Sequence, residues 1–120
     1  MSVREIGPGY YVAGQIRPED LPAIAKAGFK SVICNRPDGE DPGQPTYESI
    51  AQAAEQAGLA VRWLPADSGR VTPAHGQALA ELLDELPAPV LAYCRSGARS
   101  TTMWSYAQAL RGSDGSQGDA

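Results

Sequence analysis

The chain has 120 residues, a length that fits one folded domain and leaves no room for a second. Its net charge is −4 and its ten basic residues form no run, which argues against nucleic acid as a partner. The apolar runs are too short to cross a membrane, the N-terminal residues do not resemble a signal peptide, and two cysteines make no disulfide framework. We therefore expect a cytoplasmic protein that contacts neither nucleic acid nor membrane.

The apolar pattern alternates between short strand-like runs and helix-like stretches. In chain order it predicts a strand at 10–13, a helix from Pro18, a strand at 30–36, a helix at 47–58, a strand at 60–64, a helix from Pro73, a strand at 89–93 and a last helix through Met103 and Leu110. Such alternation is typical of βα units. We expect a single α/β domain over residues 1–111, with a mostly parallel central sheet flanked by helices. Residues 112–120 carry no large apolar side chain and are expected to be disordered.

The strand at 89–93 is the most apolar of the four, which predicts a central position, and it leads directly into Cys94. A glycine-containing turn and a helix follow, so that successive backbone N–H groups and the helix N-terminus converge on one point. Both effects favour a thiolate. The sequence therefore predicts that Cys94 is a catalytic nucleophile and that Arg99 holds an oxyanion with its forked N–H groups.

The rest of this loop is expected to bind an anionic substrate. Gly97 permits a backbone conformation that a side chain would forbid, and the Ser100 hydroxyl is expected to donate to the sulfur. A buried structural cysteine is the alternative for Cys94, but it does not explain the basic and small residues that follow. The loop residues expected to contact substrate are Arg95, Ser96, Gly97, Ala98 and Ser100.

Two resemblances are visible. The segment 94–100 (CRSGARS) resembles the active-site loop of single-domain rhodaneses, which are sulfurtransferases. The chain as a whole resembles a bacterial family of protein-tyrosine-phosphatase-like domains described as beta-lactamase-hydrolase-like, which occurs alone or fused to sulfur-metabolising enzymes. The stretches that carry this resemblance are 13–16 (AGQI), 27–33 (AGFKSVI), 35–40 (NRPDGE), 44–45 (QP) and 90–97 (VLAYCRSG). It implies a cysteine-phosphatase-like fold over roughly residues 8–111, and a functional link to sulfur-oxidising enzymes.

Loop length separates the two chemistries. The phosphatases that this chain resembles have five residues between the cysteine and the arginine, whereas this chain has four, 95–98. A shorter ring of N–H donors should favour a smaller guest. We therefore expect a rhodanese-type sulfurtransferase that moves a sulfane sulfur from thiosulfate or glutathione persulfide to a thiol or cyanide through a Cys94 persulfide.

Two alternatives stay open. One is a cysteine-dependent phosphatase of the protein-tyrosine or dual-specificity kind, which would form a phosphocysteine at Cys94. For that mechanism the resemblance implies Asp67 as the general acid, although Asp-Ser-Gly is also an ordinary turn sequence. The other alternative is a non-catalytic regulatory module that binds anions.

Three further residues have competing interpretations. Arg36 either attracts anionic substrates or pairs with a nearby carboxylate, Asp38 or Glu40. Cys34 is expected to be a buried core thiol, with a resolving thiol for Cys94 as the alternative. His75 is expected on the surface. No spacing of Cys, His and acidic residues suggests a metal site, and no nucleotide-binding glycine loop is present, so we expect no cofactor.

Overall fold

The computed structural model describes the backbone of residues 2–119 and the side chains of residues 2–112. Within this part of the chain one sheet contains five strands: β1 (Val3–Gly7), β2 (Tyr10–Ala13), β3 (Ser31–Cys34), β4 (Ala60–Trp63) and β5 (Val90–Tyr93). Their order across the sheet is β1-β2-β5-β3-β4. The last four in this order run parallel, and β1 pairs antiparallel with β2. The predicted α/β domain with a mostly parallel sheet is confirmed, and β5 lies at its centre.

Helices cover both faces of the sheet. A 3-10 turn at Pro18–Asp20 leads into α1 (Leu21–Lys26), and the other helices are α2 (Tyr47–Gln56), α3 (Pro73–Glu85) and α4 (Ala98–Asp119). Successive residues of a strand point to opposite faces, so β5 supplies two cores. Leu91 and Tyr93 pack in the cluster under α1 and α2, whereas Val90 and Ala92 pack in the cluster under α3 and α4. Burial on both faces explains why β5 reads as a continuous apolar run.

The central position of β5 brings three chain segments together at one edge of the sheet. The Cys94 N–H donates to the Ala13 carbonyl at the end of β2, over 3.3 Å. The Asn35 N–H, just after β3, donates to the Tyr93 carbonyl over 2.8 Å. The carboxyl ends of β2, β3 and β5 therefore surround the residue expected to be the nucleophile.

The structure differs from the sequence-based expectations at the ends of elements. The β1 strand was not expected, because most of its side chains are exposed and it joins the sheet only through its register with β2. The strand expected at 30–36 ends at Cys34, because Asn35 and Arg36 turn away to bind other loops. The disorder expected for 112–120 falls, except for Gly112, outside the residues with described side chains and stays a prediction. Among the described helices none combines the length and the apolar character that crossing a membrane requires.

Candidate active site

The loop after β5 wraps around the sulfur of Cys94. Cys94 is buried, with 1% of its surface exposed, and the Gly97 N–H donates to its Sγ over 3.0 Å. Gly97 has φ 95°, a left-handed conformation that strains any other residue type. This conformation turns the chain sharply enough for α4 to begin at the next residue, Ala98, as the sequence predicts.

Backbone N–H groups lower the pKa of the Cys94 thiol. Burial acts in the opposite direction and raises it, but four N–H groups outweigh burial by hydrogen-bonding the sulfur, those of Ser100, Ser96, Gly97 and Arg99. These groups belong to the turn and the first turn of α4, where N–H groups have no helical partner. The site therefore favours the thiolate more than water does around a free cysteine.

The segment after β2 supports this loop from one side. The Gln15 N–H donates to the Arg95 carbonyl over 3.2 Å. A Cβ atom at Gly14 would stand only 3.0 Å from the same carbonyl oxygen, so a side chain there would push against the loop backbone. The Ala-Gly-Gln stretch of the sequence is thus explained by the close approach of two backbones.

Arg99 is fixed by a bidentate ion pair. Its Nη1 lies 2.7 Å from Oε2 of Glu40 and its Nη2 lies 2.9 Å from Oε1 of the same carboxylate. Nη1 also donates to the Ala66 carbonyl over 3.0 Å, and 7% of the side chain is exposed. Hydrogen bonding to Glu40 raises the pKa of Arg99, burial opposes this shift, and the charges of Glu40 and Cys94 add to it. The guanidinium is therefore held in one orientation by the Glu40 carboxylate and the Ala66 carbonyl.

Arg36 forms the second half of this charge network. Its Nε donates to Glu40 Oε1 over 2.8 Å, its Nη2 to Asp41 Oδ2 over 2.6 Å and its Nη1 to Gln15 Oε1 over 2.9 Å. Only 3% of the Arg36 side chain is exposed, and each of its nitrogens donates a hydrogen bond. This supports the interpretation that Arg36 pairs with a nearby carboxylate. Of the two partners that the sequence suggested, Glu40 is found, whereas Asp38 accepts from the Tyr47 N–H instead.

Glu40 is a site residue whose importance the sequence did not show. Its pKa is lowered to about 2, chiefly by the hydrogen bonds from Arg99; burial opposes this shift and Arg36 adds to it. From the sequence, Glu40 is only a candidate partner of Arg36. The signal that would have found it is its place in the motif 35–40, directly after a strand that neighbours β5.

The prediction that the Ser100 hydroxyl donates to the Cys94 sulfur is wrong. The hydroxyl donates instead to Asn35 Oδ1 over 2.7 Å, and both residues are fully buried. Asn35 Nδ2 donates in turn to the Leu64 carbonyl over 2.9 Å. A hydroxyl has one hydrogen to donate, so Ser100 reaches the sulfur through its backbone N–H while its side chain joins the loop to the segment after β4.

Asp67 follows β4 on a segment next to the Cys94 loop, and it does not border the cleft above that loop. Asp67 is exposed and begins a turn closed by the Arg70 N–H, which donates to the Asp67 carbonyl over 3.0 Å. It borders a neighbouring cavity of about 530 Å³ together with Trp63 and His75. The preceding residue, Ala66, accepts from Arg99, so the Asp67 loop is tied to the site by its backbone.

The two remaining candidates, Cys34 and His75, form contacts elsewhere in the fold. Cys34 is buried and its thiol donates to the Arg36 carbonyl over 3.3 Å, as expected for a core thiol. His75 is half-buried, and its Nδ1 accepts from the Thr72 N–H over 3.0 Å at the start of α3. No group of three or more potential metal ligands occurs among the residues that the structure describes.

A cleft of about 750 Å³ opens above the loop. Four loop residues border it, and the turn before α3 and one face of α4 complete its walls. The lining residues are Arg95, Ser96, Ala98, Arg99, Ser68, Gly69, Val71, Thr102 and Tyr106. The expected substrate-contacting residues Arg95, Ser96 and Ala98 therefore face a space that can admit a ligand, whereas Arg36 does not border it.

A cysteine at the carboxyl end of the central parallel strand, surrounded by backbone N–H groups and followed by an arginine, defines the cysteine-phosphatase-like class of α/β proteins. Comparison with known proteins agrees. The model of the family "Beta-lactamase hydrolase-like protein, phosphatase-like domain" matches residues 2–111. The chain belongs to this family.

Known relatives extend the comparison. A beta-lactamase hydrolase-like protein of Agrobacterium fabrum is 38% identical over 101 residues, which are 84% of this chain and 23% of that protein. The chain thus spans about a quarter of the length of this curated relative. A putative phosphatase from Neisseria meningitidis superposes with a TM-score of 0.82 at 33% identity, over 90% of this chain and 77% of that one. One from Shewanella putrefaciens superposes at 0.78 over 92% and 69%, and its 19% identity supports the fold alone.

The expected sulfurtransferase function is overturned by these findings. The family is described as phosphatase-like and the similar Neisseria meningitidis structure as a putative phosphatase, and both support the phosphatase alternative. The reasoning from loop length failed for a physical reason. Although the spacing from Cys94 to Arg99 is one residue shorter, the Gly97 N–H still lies 3.0 Å from the sulfur and the loop N–H groups still lower the pKa of Cys94. The shorter loop has therefore not lost its converging donors.

The acidity of Cys94 can be tested by alkylation. In a Cys34→Ser variant, iodoacetamide should react with Cys94 at a rate that stays high as pH falls below the ordinary cysteine pKa, because the backbone N–H groups hold the thiolate. The same variant unfolded in urea is the control and should titrate like a free cysteine. Identical titration in the folded and unfolded states would contradict the proposed cradle.

The role of Glu40 can be tested by unfolding. Glu40→Gln should destabilise the fold by about 2–3 kcal/mol, because it leaves Arg99 and Arg36 without a shared counter-charge. The pKa of about 2 also predicts that Glu40 stabilises the fold fully above about pH 4.5 and loses this effect as pH falls toward 2. The variant should lack this part of the acid sensitivity.

Glu85→Gln is the matched control for that measurement. Glu85 pairs with Arg62 over 2.7 Å, but 53% of the Glu85 side chain and 43% of the Arg62 side chain are exposed. Its loss should cost less than about 1 kcal/mol in urea titrations. Equal losses in the two variants would show that burial of the Glu40 network contributes nothing.

Proposed function

We propose that the chain is a cysteine-dependent phosphatase that hydrolyses phosphate monoesters through a phosphocysteine at Cys94. The observation that carries this proposal is the arrangement around Cys94: a buried sulfur that accepts from the Gly97 N–H over 3.0 Å, a pKa lowered by the loop N–H groups, and the Arg99 guanidinium fixed by Glu40 in the same loop. A phosphoryl group presents oxygens that need such donors and an electrophilic phosphorus that a thiolate attacks. Membership of a phosphatase-like family supports the same reaction.

In the first step the thiolate attacks phosphorus. An S–P bond forms, the P–O bond to the alcohol breaks, and the alcohol oxygen takes a proton. Asp67 is the proposed donor of this proton, because its loop adjoins the site through Ala66. The loop N–H groups and Arg99 are proposed to stabilise the charge on the phosphoryl oxygens as the bond order changes.

In the second step water hydrolyses the phosphocysteine. Water attacks phosphorus while its proton passes to the Asp67 carboxylate, the S–P bond breaks, and phosphate leaves with the thiolate restored. The low pKa of Cys94 helps here as well, because a stable thiolate is a good leaving group. Glu40 keeps Arg99 in one orientation through both steps, since a bidentate pair leaves a guanidinium little rotational freedom.

The cytoplasmic location and the link to sulfur-oxidising enzymes, which the sequence suggests, stay predictions. Neither alters the chemistry proposed for the site, which depends on the loop, Arg99 and Asp67.

The nucleophile is tested by Cys94→Ser. The wild-type protein should hydrolyse p-nitrophenyl phosphate, and the variant should lose at least about 10³-fold in kcat, because a serine hydroxyl is far less nucleophilic at neutral pH. Acid-quenched wild-type enzyme should carry a phosphoryl group on the peptide that contains Cys94, and the variant should not. A wild-type protein that hydrolyses no phosphate monoester would instead be the non-catalytic anion-binding module.

The proton donor is tested by Asp67→Asn. The variant should lose about 10²-fold or more in kcat with an alkyl phosphate, whose alkoxide needs a proton. With p-nitrophenyl phosphate the loss in phosphocysteine formation should be smaller, because nitrophenolate leaves without one. Asp84→Asn is the control, since Asp84 is an exposed carboxylate paired with Arg111. Equal losses with both esters would exclude Asp67 as the acid.

A further inference from the structure

We propose that the substrate is a small hydrophilic phosphate ester with a second anionic group, and that Arg95 binds this second group at the edge of the cleft. The inference rests on the proposed phosphatase function and deepens it. The observations that carry it are the lining of the 750 Å³ cleft and the difference between Arg95 and the other two arginines of the site.

The lining of the cleft is largely polar. Four side chains bring hydroxyl groups to it, namely Ser68, Ser96, Thr102 and Tyr106, and two bring guanidinium groups. The Thr102 hydroxyl donates to the Ala98 carbonyl over 3.0 Å, and the Ser96 hydroxyl accepts from the Ala98 N–H over 3.4 Å. The hydroxyls of Ser68 and Tyr106 have no such partner among the described residues and border the cleft. The apolar contribution comes from Val71, Ala98 and Gly69, which are small. Such a wall suits hydroxyl and anionic groups better than a large apolar leaving group.

Two of the three arginines are already matched by carboxylates. The Arg99 fork lies on Glu40, and Arg36 lies 2.6 Å from Asp41 as well as 2.8 Å from Glu40. Counting Arg36 and Arg99 against Glu40 and Asp41 gives two positive and two negative charges. Arg95 therefore carries a positive charge beyond the two that Glu40 and Asp41 match, and the negative charge favoured at the Cys94 sulfur lies inside the cradle.

Arg95 is the arginine of the three that is free to bind a ligand. Its side chain is 70% exposed, and its one ion pair among the described residues joins Nε to Asp41 Oδ2 over 3.4 Å. That carboxylate oxygen lies closer to Arg36, at 2.6 Å, so it holds Arg95 weakly. At 3.4 Å this contact is long, and Arg95 makes no shorter ion pair among the described residues, so its guanidinium can turn toward a ligand. A guanidinium is a fork of the kind that binds phosphate or carboxylate groups.

The position of Arg95 sets what it can bind. It follows Cys94 directly and borders the same cleft as Arg99, so its side chain reaches over the opening rather than into the cradle. The phosphoryl group that reacts is held by the loop N–H groups and Arg99. A second anionic group on the same small molecule can then form an ion pair with Arg95, whereas a neutral substituent at that position cannot.

The test compares two esters that differ in one charged group, propane-1,3-diol bisphosphate and 3-hydroxypropyl phosphate. Wild-type kcat/KM should be about tenfold higher for the bisphosphate, beyond the statistical factor of two for its two equivalent ends. Arg95→Met should remove most of this preference and lower kcat/KM for the monophosphate much less. Arg95→Lys should restore part of it, because it returns the charge without the fork.

Arg17→Met is the matched control. Arg17 is 60% exposed and pairs with Glu19 over 3.5 Å, an environment close to that of Arg95, but it does not border the cleft. This variant should keep the wild-type preference. Binding of both compounds to the Cys94→Ser variant, measured by calorimetry, should show the same preference without turnover.

The outcomes separate the two proposals. A kcat/KM for the bisphosphate no more than twice that for the monophosphate, or equal losses for both in Arg95→Met, would overturn the second-anion subsite, while hydrolysis of p-nitrophenyl phosphate would still support the phosphatase. Absence of hydrolysis of all three esters would overturn the phosphatase and this inference with it. A preference that survives in Arg95→Met would place the second anion on another residue and contradict the role of Arg95.

Discussion

The candidate site depends on one carboxylate that binds two buried guanidinium groups. Glu40 accepts from both terminal nitrogens of Arg99 and from Nε of Arg36, and these arginines expose 7% and 3% of their side chains. Burying either cation alone would cost several kcal/mol. The shared carboxylate offsets this cost, and it fixes the orientation of Arg99 in the loop that carries Cys94. The loop between β3 and α2 is therefore as much a part of the site as the loop that carries Cys94.

Asn35 connects the same parts from the opposite side. Its side chain accepts from the Ser100 hydroxyl and donates to the Leu64 carbonyl, while its backbone carbonyl accepts from the Ala66 N–H over 3.2 Å. A single buried amide thus joins the first turn of α4 to the segment that leads to Asp67. The nucleophile and the candidate proton donor lie on different loops, yet a rigid hydrogen-bonded bridge sets their relative position.

The sequence predicted most of the fold and the centre of the site, for identifiable reasons. The continuous apolar run of β5 and the Cys-to-Gly97 turn are local patterns, so the strand, the thiolate cradle and Arg99 follow from short segments. Glu40 and Asn35 were missed because their partners are 59 and 65 positions away in the chain. The Ser100 hydroxyl was misassigned for the same reason. The choice of reaction failed because a count of loop residues does not show where their N–H groups point.

These long-range contacts mean that the chemistry belongs to the completed fold and not to the segment that bears the nucleophile. Arg99 is held by residues from the middle of the chain, and the loop of Cys94 is held from the other side by Gln15 near its beginning. Contacts of such separation form late in folding. An isolated peptide of residues 90–111 would contain the whole nucleophile motif and behave as an ordinary thiol. During synthesis Cys94 is therefore expected to keep the reactivity of an ordinary cysteine until the domain has folded around it.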